Sequence, residues 1–187
     1  MKFYLERVKK GILSSTLVLF VFFAIVGGFG YGIVKGLLIG VMLTMFVLIP
    51  FQILYSLIDY LFLTKAFKKY GRIDYGLHQL HSMKIKFSKD EAFNYVLKAM
   101  NKYKGIQDIE VDKRSGIIKA RRKAYWKTQG ENIKIIVTET SSISSIEIHS
   151  RPCRKLAYWD FAQNYQNVEI IANYIKNQLS GVGGVTH

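Results

Sequence analysis

Hydrophobic and polar positions divide the chain into two unlike parts. Residues 11–34 carry no charge, Lys35 carries one, and residues 36–58 again carry none. A bilayer-spanning helix needs about 20 apolar residues, so the block at 11–63 has room for two spans, at about 12–34 and 36–58. The glycine-rich stretch 27–35 between them is expected to form the turn. Beyond residue 82 the pattern shortens. Residues 83–87 alternate apolar and polar, as a half-buried strand does. Ser88 and Glu91 then form a capping box ahead of a helix with Phe93, Val96, Leu97 and Met100 on one face, ended by Gly105. Ile109 and Val111 alternate with Glu110 and Asp112, and residues 117–126, 132–138 and 143–149 read as three more strands. Residues 160–167 lead into a last helix that places Val168, Ile171, Ile175 and Leu179 at helical spacing.

This order predicts an α+β protein: a transmembrane two-helix hairpin, then a β-α-β-β-β-β-α domain with an antiparallel sheet and its helices on one face. The expected divisions are a basic N-terminus at 1–10, the hairpin at 11–64, a basic interfacial connector at 65–81, the α+β domain at 82–180 and a flexible tail at 181–187.

Charge orients the hairpin. Lys2, Arg7, Lys9 and Lys10 precede the first span, Lys65, Lys68, Lys69 and Arg72 follow the second, and Lys35 stands alone between them. The positive-inside rule then sets both termini in the cytoplasm of a multi-pass cell-membrane protein. The first span lacks a small-x-small cleavage site after Ala24, so the block is expected to stay attached. Gly36 and Gly40 are candidates for close helix packing, within the hairpin or between protomers. Pro50 should kink the second span, Gln52 can bond to a neighbouring helix, and Asp59 is expected in a hydrated position at the interface. Lys65, Lys68 and Lys69 are candidate membrane-interface anchors, their heads at the phosphates and the neighbouring rings in the interface. One cysteine, Cys153, excludes an internal disulfide framework and fits a reducing compartment.

The net charge of +14 is uneven: residues 65–187 hold 22 Lys and Arg against 11 Asp and Glu. Along 117–126 the odd positions Lys119, Arg121, Lys123 and Tyr125 share one face. Ile118, Ala120, Ala124 and Trp126 share the other, with Arg122 as the exception. Lys119, Arg121, Lys123, Lys127 and Arg114 are therefore candidates for contact with an anionic surface. Nucleic acid is not expected, because Trp126 reads as core-facing and stacking would be needed. His78 and His81 lack further metal ligands at suitable spacing, and no cofactor motif is present.

The segments His149-Ser150-Arg151-Pro152 and Asp160-Phe161-Ala162-Gln163-Asn164 resemble the closing signature of a widespread family of domains of unknown function. Its members end in an Arg-Ser strand, an Asp-x-Gly-x-Asn-like turn and a helix, and the resemblance covers residues 83–179. Ser150, Asp160 and Asn164 match the motif, Ala162 replaces its usual glycine, and Arg151 and Arg154 keep its basic pair in part. The resemblance implies a structural turn and no established reaction. The outline also resembles helix-grip folds, which implies an apolar cavity lined by Ile135, Val137, Ile171 and Ile175.

The function expected first is a non-enzymatic membrane protein whose basic domain meets membrane lipids, a protein partner or a second copy of itself. A helix-grip binder of a lipid or small apolar ligand is the alternative. A cysteine-dependent enzyme built on His149, Cys153 and Asp160 ranks behind both, since Asp160 and Asn164 also suit a helix-capping turn.

Overall fold

The computed structural model describes residues 2–125, 128–141, 143–154, 157 and 159–180. The chain divides into two compact units, Met1–Phe62 and Leu63–His187.

The first unit is helical. Helix α1 covers Lys2–Tyr31 and α2 covers Ile33–Leu43; a π-helical turn at Thr44–Leu48 then joins α2 to α3, Ile49–Tyr70. Two stretches are long and apolar enough to cross a membrane, Tyr4–Tyr31 with 28 residues and Ile33–Tyr70 with 38. At about 1.5 Å per residue they measure about 42 and 57 Å, against about 30 Å of hydrocarbon. Only 6% and 17% of their most apolar windows is buried. Phe29, Ile33, Val34 and Phe46 stand open on the outside, an exposed apolar surface of the kind that marks protein or membrane contact.

The turn is shorter than the pattern suggests. Helix α1 runs through Gly27, Gly28 and Gly30 to Tyr31, and the chain reverses at Gly32, whose φ of 87° is strained for a side chain with a Cβ. The helices cross closely nearby. A Cβ on Gly36 would lie 2.6 Å from Gly28 Cα and 2.8 Å from Ala24 O. A Cβ on Gly40 would lie 3.3 Å from Ala24 Cβ. Both glycines therefore pack within the hairpin, where backbone meets backbone.

Pro50 explains the π turn. It has no N–H for the Phe46 carbonyl and its ring crowds that group, so the helix widens and Ile49 N donates to Thr44 O, five residues back. A polar seam crosses the unit: Thr16 Oγ1 donates to Gln52 Oε1 at 3.3 Å, Tyr4 Oη to Ser56 O at 2.5 Å, and Arg7 Nη2 to Asp59 Oδ2 at 2.5 Å. Asp59 is fully buried rather than hydrated. The Arg7 guanidinium, at the start of α1, replaces the water expected there.

The second unit begins on the last turns of α3. Leu63, Ala66 and Phe67 are buried, and the Phe67 ring meets Tyr75 and Tyr165 edge-on, with centroids 5.1 Å apart in each pair. Phe67, a ring expected in the lipid interface, thus packs within the domain, while Lys65, Lys68 and Lys69 remain exposed. Arg72 continues the attachment. Its Nε reaches Glu169 Oε1 at 2.7 Å, its Nη1 Asp74 at 3.1 Å and its Nη2 Gln79 at 2.9 Å. His81 Nδ1 lies 3.1 Å from the same Glu169 oxygen.

Five strands follow, β1 (Gln79–Ile85), β2 (Ile106–Asp112), β3 (Ile117–Arg122), β4 (Glu131–Thr140) and β5 (Ile143–Pro152), with α4 (Lys89–Lys102) after β1 and α5 (Gln163–Ser180) after β5. The sheet is antiparallel in the order β1-β5-β4-β3-β2. The Ser88–Glu91 capping box starts α4 as expected. Both helices pack on one face over Ile118, Ile133, Ile135, Val137, Ile146 and Ile148. Ile135, Val137, Ile171 and Ile175, expected around a cavity, are all 0–1% exposed members of this one apolar core.

Candidate anion-binding face of the sheet

Because side chains alternate along a strand, the sheet face away from the helices takes every second residue. Register fixes which of them meet. In one row Glu110, Lys119, Lys134, His149 and Leu80 stand opposite one another, and in the next Gln107, Arg121, Asn132 and Arg151. Four permanent cations and a histidine thus occupy two adjoining rows of three strands. Strand spacing of about 4.8 Å and a two-residue repeat of about 7 Å put them inside a frame of about 10 by 7 Å.

The frame is costly to fold. Lys119 and Lys134 are directly opposed across β3 and β4, and directly opposed like charges destabilise a sheet by up to about 1 kcal/mol. Glu110 Oε2 lies 3.9 Å from Lys119 Nζ with both groups exposed, a screened contact of little weight. His149 Nε2 lies 3.4 Å from Glu147. Over these rows opens a cleft of about 920 Å³, lined also by His78 and by Asp108 and Glu110 at its β2 end. Asp108 sits in a bulge, with a φ of 51° where the register shifts between Gln107 and Glu110.

Of the residues expected to meet an anionic surface, Lys119 and Arg121 lie in the frame. Lys123 is exposed just past β3, and its N–H extends the β2–β3 ladder to Gly105 O at 3.1 Å. Arg114 is exposed in the β2–β3 turn, outside the frame. Lys127 lies outside the described residues, as does Trp126. Strand β3 stops at Arg122, four residues short of the expected end, because Tyr125 and Thr128 close a tight turn through paired backbone bonds of 3.1 and 3.0 Å. Tyr125 therefore leaves the basic face, and its hydroxyl donates to Gln163 on α5. Lys134, His149 and Arg151 were not expected in the frame, since only cross-strand register brings them to Lys119 and Arg121.

Arg122, the exception in the alternation, belongs to a polar cluster on the helix side. Its guanidinium lies between the Tyr103 and Tyr125 rings, 5.4 and 5.1 Å from their centroids, and 3.7 Å from Glu131. Burial pushes the Glu131 carboxyl above its usual range, with Thr128 and Arg122 offsetting part of the rise. Burial likewise pushes Tyr103 up to about 12. Tyr103 Oη and Gln163 Nε2 both donate to Asn167 Oδ1, at 2.7 and 2.9 Å, and Asn167 Nδ2 donates to Ser150 Oγ at 2.9 Å. The three motif residues meet here. Ser150 Oγ donates to Asn164 Oδ1 at 2.7 Å, and Asp160 Oδ2 accepts from Asn164 N and Nδ2 at 2.9 and 2.7 Å. They join the end of β5 to the first turn of α5.

This geometry does not favour a thiolate nucleophile. Asp160 is engaged by Asn164 on the helix side, while His149 projects from the other face of β5. Cys153 Sγ lies 3.4 Å from Asn132 Oδ1, and burial pushes its thiol up despite Arg121 nearby. No family model, curated protein or solved structure matches this chain.

Proposed function

We propose that this chain is a non-enzymatic integral membrane protein whose cytoplasmic α+β domain binds the anionic inner leaflet through the open face of its sheet. The observation that carries the reading is the frame of Lys119, Arg121, Lys134, His149 and Arg151 on the face that the helices leave uncovered. Each basic group near an anionic membrane contributes about 1 kcal/mol before screening, so the four permanent cations supply about 4 kcal/mol. Tethering adds to this, because a domain held at the end of α3 meets lipid at a high effective concentration. Basic flanks on both spans favour the cytoplasmic side for that domain. A lipid surface suits the frame better than a protein partner: the frame has little apolar area for a buried contact centre and much unopposed charge.

Lysine footprinting of the full chain in nanodiscs tests this. Acetylation of Lys119 and Lys134 should slow when phosphatidylcholine is partly replaced by phosphatidylglycerol, while Lys98 and Lys176, exposed on α4 and α5, keep their rates. Equal labelling of the frame in both lipids would refute the proposal.

A further inference from the structure

A cleft opens over the basic face, and its charge is polarised. A flat anionic surface offers no group to the two carboxylates at the β2 end of the cleft. The cleft volume of about 920 Å³ falls within the roughly 300–1,000 Å³ of small-molecule sites. Its cations gather on β3, β4 and β5, whereas Asp108 and Glu110 stand together on β2.

We propose that this cleft is a discrete site for an organic phosphate whose other end carries a hydroxyl or ammonium group. The inference rests on the reading of the same face as anion-binding and names what enters it. Arg121 and Arg151 flank Asn132 in one row, and two guanidinium forks are suited to phosphate oxygens. The Asn132 carbonyl oxygen accepts from Cys153 Sγ, which turns its N–H donors away from the thiol. Lys134 and Lys119, one row along, neutralise the second charge of a phosphate. The donor end of the ligand then lies toward β2, where Asp108 and Glu110 both line the cleft and Glu110 also faces Lys119 at 3.9 Å. The bulge supports this assignment. A bulge re-aims the side chain it carries, and the left-handed backbone at Asp108 is one that aspartate tolerates. Here that side chain is a carboxylate on the rim of a basic cleft. Phosphatidylcholine, whose phosphate bears a quaternary ammonium without N–H or O–H donors, should fit poorly.

The ligand chemistry occurs both in lipid headgroups and in free metabolites, and two arms of one experiment separate them. The full chain is held in phosphatidylcholine nanodiscs, and acetylation of Lys119 and Lys134 is followed as glycerol 3-phosphate, phosphoethanolamine or inorganic phosphate is added at constant ionic strength. In the second arm the discs contain phosphatidylglycerol or phosphatidic acid at matched surface charge. The inference expects glycerol 3-phosphate or phosphoethanolamine to protect at about tenfold lower concentration than inorganic phosphate, the worth of one charge-assisted hydrogen bond. For a lipid source it expects phosphatidylglycerol to protect better than phosphatidic acid. Asp108→Asn, an exchange that tolerates the left-handed backbone, should erase the preference and leave anion protection in place. Protection that follows charge alone in both arms, or a preference that survives Asp108→Asn, overturns the discrete site and leaves the surface reading standing. No protection by any phosphate or anionic lipid overturns both. Protection by free phosphates alone keeps the site and overturns the membrane reading.

Discussion

Substituting Gly36 with Ala sets a backbone contact against a helix preference, and the hairpin geometry decides which wins. An alanine Cβ at this position would lie 2.6 Å from Gly28 Cα and 2.8 Å from Ala24 O. Carbon atoms rest about 3.5–4.0 Å apart, so the helices must separate by about 1 Å, and a gap of that size forfeits a quarter to a half of each dispersion contact. Overpacking of this kind costs about 1–3 kcal/mol. Alanine returns about 1 kcal/mol through helix propensity, leaving a net loss of about 0–2 kcal/mol. Two neighbours serve as internal controls. Around Gly28 nothing lies within 4 Å of an added Cβ, and around Gly40 the nearest atoms are at 3.3 Å. Gly28→Ala should therefore stabilise slightly, and Gly40→Ala should be nearly neutral. The assay is energy transfer between dyes at Leu13→Cys and Leu54→Cys, both outward-facing, in a Cys153→Ser background titrated with sodium dodecyl sulfate. The unfolding midpoint should fall for Gly36→Ala alone. A Gly36→Ala midpoint at or above the parent's, or an equal fall for Gly28→Ala, would refute the close crossing.

Three further outcomes follow from the domain. Ile135→Ala removes a side chain with no exposure from the core and should destabilise by about 2–5 kcal/mol in urea; a loss well under that would point to a loosely packed cavity between α5 and the sheet. Asp160→Ala deletes the acceptor for Asn164 N and Nδ2 and should cost about 1–3 kcal/mol, while Asp160→Asn should recover part of it; thermal melts of the two variants check this. Burial alone would raise Glu169, but the hydrogen bonds and charges of His81 and Arg72 outweigh it and hold the carboxyl below its usual value. A carboxyl depressed in the folded state contributes stability above its unfolded pKa and loses it as pH falls through the folded value, so the wild type should weaken below about pH 4.3. Glu169→Gln should be less stable near neutrality by about 1–3 kcal/mol and show a flatter acid limb; urea midpoints against pH read both.

The pattern of apolar runs and alternations was enough to read the helical pair, the α+β class and the capped helix, because each depends on neighbours in sequence. What escaped it depends on distant partners. Asp59 reads as a hydrated interface residue until Arg7 arrives from 52 positions away. Gly27 and Gly28 read as turn residues because the chain alone does not show that α2 passes against them. On the basic face, Lys119 and Arg121 were legible on one strand, but Lys134, His149 and Arg151 join them only through the β3–β4 and β4–β5 registers. Arg122 looked like a flaw in the alternation and is the guanidinium of a buried polar cluster. The positions matching the resemblance, Ser150, Asp160 and Asn164, are 10 and 14 residues apart from first to second and first to third. They meet because β5 and α5 fold back on each other.

The most direct test of the account is the distance from the sheet face to lipid. A fluorophore at Thr138→Cys, exposed on the outer face of β4, is placed in the Cys153→Ser chain in nanodiscs whose headgroups carry a nitroxide quencher. Quenching should be strong with phosphatidylglycerol, weak in phosphatidylcholine alone, and weak again after Lys119→Glu, Arg121→Glu and Arg151→Glu are combined. Equal quenching in anionic and neutral discs, or quenching that survives the charge reversals, would contradict the proposal that this face binds the anionic leaflet.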